Sequence, residues 1–187
     1  MWPLGHAAIA YLLYTLWIRS RSSQPPTAIP IAFLLVGSQF PDLVDKPLAW
    51  YLDVLPTGRT LAHSLLVLVP LCVLVAAVAA HYDRLEYGTA FGLGALSHAL
   101  VDALPVLWGG TEANFLLWPL LSVEPYESGA PSIIDLFVSS LGDPYFLAEF
   151  VLAGLAFVAW RHDGYPGLEL VADVLPWPTR ETDRSSR

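Results

Sequence analysis

Apolar residues in this chain gather into long runs separated by short polar breaks, so the pattern predicts helices rather than strands. A hydrocarbon core of about 30 Å needs roughly 20 helical residues. Five runs approach that length, at 2–18, 27–40, 61–80, 88–107 and 144–160. The second is short, since its residues rise only about 21 Å before the break "PDLVDKP". The third contains Pro70, which a membrane helix tolerates. The expectation is an all-α, polytopic membrane helical bundle of about five transmembrane helices. It forms one domain over residues 1–163, with an outer loop at 108–143 and a disordered cytoplasmic tail at 164–187 that ends in "PWPTRETDRSSR".

Composition supports the membrane reading. Hydrophobic residues make up 55% of the chain, charged residues 14%, and the mean hydropathy is +0.54, whereas soluble domains carry about a quarter charged residues. Eight arginines and a single lysine, Lys46, face 17 carboxylates, for a formal net charge of -8. That balance argues against nucleic acid or an anionic membrane surface as partner, and it is what a high-salt environment favours. Cys72, alone in "VPLCVLV", rules out an intrachain disulfide or a cysteine-rich zinc site and reads as a small packed hydrophobe.

Arg19 and Arg21 follow the first apolar run instead of preceding it, the wrong order for a cleaved signal peptide and the right one for a first membrane helix. With five spans, Arg19, Arg21, Arg84, Arg161, Arg180, Arg184 and Arg187 all fall on one side, which the positive-inside rule makes cytoplasmic. The chain is then a multi-pass plasma-membrane protein with its N-terminus out and its C-terminus in. The loop 108–143 has no lysine or arginine, and its Trp108, Phe115, Trp118 and Tyr126 suit an interfacial segment.

On that topology the ionisable residues of four helices reach one membrane depth, on the outer side: His6, then Asp42 and Asp45, then Arg59 and His63, then His98 and Asp102. A charge at mid-membrane costs at least about 2.5–3.5 kcal/mol, and a divalent ion shared with the histidines would offset that for Asp102. His98 and Asp102 are spaced i, i+4, so both leave one helix face and can touch one ion; a structural His–Asp hydrogen bond would have the same spacing. Arg59 lies one turn before His63, offering a cation beside a ligand, although a snorkelling arginine with a capping Thr60 reads equally well. "GSQFPDLVDKP" supplies two carboxylates with Lys46 next to the second, or it is a solvated turn. His81 and His162 lie beside arginines on the other side and are left out of the site. Gly92, Gly94, Ala95 and Ser97 make a small-residue packing face.

The set "GHAAIAY", "GSQFPDLVDKP", "GRTLAHSLL", "GALSHALVDALP" and "LLWPLL" resembles the YdjM family of membrane-bound metal-dependent hydrolases, over residues 5 to about 121. A more distant likeness is to zinc-dependent phospholipase C proteins. The resemblance implies that His6, Asp42, His63, His98 and Asp102 are metal ligands or catalytic groups. Many members read Pro-Asp-x-Asp, whereas Asp45 here comes one residue later.

The function expected is hydrolysis by water activated on a divalent ion, zinc first with manganese or iron as alternatives. Asp42 or Asp45 would serve as general base, and Arg59 and Lys46 would stabilise the developing negative charge. The substrate expected is a membrane lipid or small amphiphile, with a phosphoester favoured. The rivals are an ion- or proton-coupled transporter and an accessory membrane protein with a structural metal. The bare inner halves "LCVLVAAVAA" and "GTAFGLG" speak against a transmembrane pathway.

Overall fold

The computed structural model describes residues 2–109, 112–125 and 132–172, and every regular element among them is helical. In chain order these are α1 (Pro3–Arg19), α2 (Ala28–Trp50), α3 (Leu65–His81), α4 (Leu85–Ala103), α5 (Ile133–Ser140), α6 (Pro144–His162) and α7 (Leu168–Ala172), with 3-10 turns after α4 and at Asn114–Leu117. Three segments are long and apolar enough to cross a membrane: α2, α4 with its extension to Trp108, and α6, while α3 is a shorter apolar helix. Large apolar side chains such as Leu16, Val73, Phe157 and Val158 are exposed on the outside, as expected of surfaces that face lipid.

Local chemistry sets several helix boundaries. Pro3 and Pro144 occupy first-turn positions, where a missing N–H leaves nothing unsatisfied. The Ser64 and Asp143 side chains cap α3 and α6 by accepting from Leu66 N and Tyr145 N. Two boundaries differ from expectation. Helix α2 does not break at "PDLVDKP" but runs through Pro41 and Pro47 to Trp50, since neighbouring groups in a membrane bundle can compensate the ladder bonds that proline forfeits. Asp42 and Asp45 therefore lie on a helix, not in a turn. The third helix starts at Leu65 instead of 61, leaving Arg59 and His63 in the α2–α3 loop.

The α2–α4 contact is the most intimate in the bundle. A Cβ on Gly37 of α2 would collide with the Phe91 carbonyl oxygen of α4, and one on Gly94 of α4 would collide with the Leu34 carbonyl oxygen of α2. The glycines let the two backbones touch. Helix α3 packs on the other face of α4, around Leu68, Cys72, Phe91 and Ala95, and α1 packs on α6, α4 and α2.

Helices α1 and α6 are tied at both ends by buried carboxylates. Glu149 of α6 accepts from the backbone N–H groups of Trp2 and Gly5 and so caps the open N-terminus of α1 from another helix. At the far end Asp163 accepts from Tyr11 Oη at 2.7 Å, from Thr15 Oγ1 at 3.3 Å and from Arg19 at 2.5 Å. Burial opposes ionisation of Asp163, but the Arg19 guanidinium and the Tyr11 hydroxyl hold its carboxyl below the usual range. Residues 164–172, expected in a disordered tail, include α7, which packs on α2. Tyr126, Arg180, Arg184 and Arg187 lie outside the described residues.

Three outcomes are expected. Gly37→Ala should lower stability by about 1–3 kcal/mol through overpacking, read as thermal unfolding in detergent. Gly154→Ala, where a Cβ meets nothing within 4 Å, should be neutral or stabilising. The depressed Asp163 carboxyl contributes stability that is fully present above about pH 4 and is lost as pH falls towards its folded value. The melting gap between wild type and Asp163→Asn should accordingly close below about pH 4, and a gap constant down to about pH 2 would show that charge plays no part.

Candidate metal centre

The alternation of helix directions brings the start of α1, the end of α2, the start of α3 and the end of α4 to one end of the bundle. His6, Asp42, His63, His98 and Asp102 meet there, all buried. Arg19, Arg84 and Arg161 sit at the other end, with the exposed His81 and His162.

His98 projects one turn beyond Gly94, where the close approach of α4 to α2 lets its Nδ1–H donate to the Ser38 carbonyl at 2.6 Å. That bond leaves Nε2 as the nitrogen with an available lone pair. His63 is set in the same way by its Nδ1, 2.8 Å from Asp45 Oδ2. Asp45 also accepts from the backbone N–H groups of Thr60 and Ala62, each at 2.8 Å, and of His63 at 3.3 Å. The loop before α3 is thus folded around one buried carboxylate, which four N–H donors keep satisfied. With both oxygens so engaged, Asp45 positions His63 and is not placed to act as the expected general base.

Three atoms that face one another, Asp42 Oδ1, His63 Nε2 and His98 Nε2, are buried without a hydrogen-bond partner. Asp42 Oδ1 lies 3.6 Å from His63 Nε2 and 3.7 Å from His98 Nε2. These separations are too long for hydrogen bonds and close to the roughly 3.4 Å between two ligands that each sit about 2.1 Å from a tetrahedral ion. Asp102 Oδ2 is 3.8 Å from His63 Nε2, and Asp102 Oδ1 is 3.2 Å from His6 Nε2. Two overlapping groups could hold an ion, Asp42 with His63 and His98, and His6 with His98 and Asp102. His98 has one nitrogen to give and completes one of them at a time. The His6 and His98 rings stack with centroids 3.6 Å apart.

Both expected cations are present at the rim. Lys46 Nζ is 2.5 Å from Asp42 Oδ2, one turn along α2, and Arg59 Nε is 2.7 Å from Asp102 Oδ2. Their side chains are 30% and 36% exposed, while the cluster behind them is closed.

"LLWPLL" and the Phe115 before it cover another side of the cluster: Ser64 Oγ donates to the Trp118 carbonyl at 2.5 Å, and the Phe115 ring stands edge-on to His63 at 6.0 Å between centroids. Sequence reasoning named "LLWPLL" only as part of a resemblance and read Phe115 as interfacial, whereas it is buried, and it missed the Ser38 carbonyl and Glu149. The last had a signal, because a carboxylate inside the apolar stretch "PYFLAEFVLAGLAF" calls for a partner. A backbone carbonyl carries no such mark.

The chain matches the family model described as YdjM inner membrane protein over residues 1–172. No curated protein and no solved structure matches it, and the likeness to zinc-dependent phospholipase C proteins finds no support. With all of the described residues inside that match, the protein belongs to the YdjM inner membrane protein family.

If Asp45 sets the His63 tautomer for an ion, Asp45→Asn should weaken zinc binding about 10- to 100-fold, measured by competition with a chromogenic chelator. Unchanged affinity would mean that Asp45 only folds the loop.

Proposed function

We propose that this YdjM family chain is an integral-membrane, metal-dependent hydrolase whose site takes a phosphoester on a lipid or small amphiphile at the outer leaflet. The observation that carries the reading is the trio of buried atoms without a hydrogen-bond partner, Asp42 Oδ1, His63 Nε2 and His98 Nε2, in which the carboxylate oxygen stands at ligand spacing from both nitrogens. Buried polar atoms are ordinarily hydrogen-bonded, so three convergent exceptions from three elements fit a cation. Two imidazoles with a carboxylate suit zinc, and also manganese or iron.

When bound, such an ion supplies Lewis-acid activation of water at neutral pH. The protein's own part is positional and electrostatic. Asp45 and the Ser38 carbonyl hold the two imidazoles so that each turns its Nε2 inward. Lys46 and Arg59, paired with Asp42 and Asp102 but partly exposed, are placed to receive an anionic headgroup and to stabilise charge that develops on its oxygens. Asp42 faces the two imidazoles as a ligand, and a general base is not assigned to it. The placing of the site at the outer leaflet rests on Arg19, Arg84 and Arg161 lying at the opposite end of the bundle. Clustering at one end fits a site better than a conduction path, which needs polar groups through the membrane depth.

The test is metal content and turnover together. Detergent-purified protein that has never met a chelator should carry stoichiometric metal, which His98→Ala and Asp42→Ala should lose while remaining folded. A screen of phosphoester lipids should find one whose hydrolysis is abolished by chelation and by either substitution. Metal-dependent ion flux in proteoliposomes with no hydrolysis would replace the reading with transport. Metal retained with no open position for water would replace it with a structural site.

A further inference from the structure

Away from the histidine cluster a cavity of ≈ 550 Å³ lies between α1, α2, α6 and α7, within the usual range for ligand pockets of about 300–1,000 Å³. It exists because three helices present small side chains to one another: Ala7 and Ala8 of α1, Ala32 of α2, and Ala153 and Ala156 of α6. Helices α1 and α6 pack directly on each other and are tied at one end by Glu149 and at the other by Asp163, so the gap lies where α6 stands away from α2, with α1 as its floor.

Its lining is hydrocarbon in effect. The two lining residues with a polar side-chain atom spend it elsewhere: Tyr11 Oη donates to Asp163, and Trp160 Nε1 donates to the Pro166 carbonyl at 3.0 Å. Water there would find no side-chain partner. Two of its walls, α2 and α6, are segments fit to span a membrane, so its open side faces lipid. The lining runs from Leu4, two residues before His6 at the cluster end, to Leu168 and Val171 of α7 at the arginine end.

We infer that this groove is a binding site for the acyl chain of a membrane phospholipid, its tail towards α7 and its headgroup at the depth of the histidine cluster. The hydrophobic effect alone does not favour an apolar surface over bulk lipid, so the preference comes from close packing of a chain in a preformed slot. The inference stands independently of whether the cluster holds a metal.

The full chain would be reconstituted in vesicles of phosphatidylcholine and phosphatidylglycerol in equal parts, doped with a phosphatidylcholine that bears a diazirine at mid-chain. After illumination, adducts would be mapped by mass spectrometry. Labelling should concentrate on groove residues such as Ala153 and Ala156, above the level at Val69 and Val73 on the exposed face of α3. Ala153→Trp, and separately Ala32→Trp, should fill the groove and cut its labelling roughly tenfold or more, with α3 labelling and the melting temperature unchanged. Equal labelling of groove and α3, or groove labelling indifferent to both plugs, would overturn the inference. So would groove labelling that appears only after residues 173–187 are removed, because the chain's own tail would then be the occupant. The readout needs no turnover, so its failure is distinct from failure of the hydrolase reading.

Discussion

The candidate site depends first on two helix backbones touching. Gly37 and Gly94 remove the side chains that would hold α2 and α4 apart, and the contact brings a ring on one helix within reach of a carbonyl on the other. His98 spends its Nδ1 on Ser38 of α2, and its orientation follows from that bond. Were the helices a methyl group further apart, the bond would lengthen, and the inward nitrogen would lose both its direction and its defined tautomer. The packing residue and the chemical residue therefore act as one device on a single turn of α4.

The second device is a loop wound on a carboxylate. Asp45 belongs to α2, yet it gathers three backbone N–H groups and a ring nitrogen from the segment that leads into α3. Such saturation makes a buried carboxylate tolerable, and it presents His63 to Asp42, one turn back on the same helix. Neighbouring carboxylates thus have opposite situations. Asp45 is spent entirely on N–H donors, whereas Asp42 turns one oxygen to Lys46 and leaves the other facing two imidazoles.

Two further buried carboxylates fasten α1 to α6. Glu149 and Asp163 work at opposite ends of that pair, one capping a helix start and the other collecting hydroxyls and an arginine. Fixing both ends holds α6 on α1, and the apolar opening runs beside that pair, along α2.

Much of this was legible in the residues. Long apolar runs specified helices, and counting them in alternation placed His6, Asp42, His63, His98 and Asp102 at one end, because each pass reverses direction whatever the packing. The i, i+4 spacing of His98 and Asp102 was equally plain, and both lie on α4, whereas Lys46, read beside Asp45 in a break, meets Asp42 one turn back on a continuous α2. The glycines of α4 showed as a packing face. Other features awaited the fold. Proline read locally as a break at "PDLVDKP", but α2 continues because its neighbours outweigh a lost ladder bond. Asp45 and Asp42 are alike in sequence and differ only in what surrounds them. The Ser38 carbonyl and the Trp118 carbonyl belong to every residue's backbone and are marked by no side chain. Sequence by itself determined which groups share a depth, since helix rise and chain reversal are local. Tertiary structure decided which atoms of those groups are spent and which face one another, since hydrogen bonds between helices depend on separations that no single segment sets.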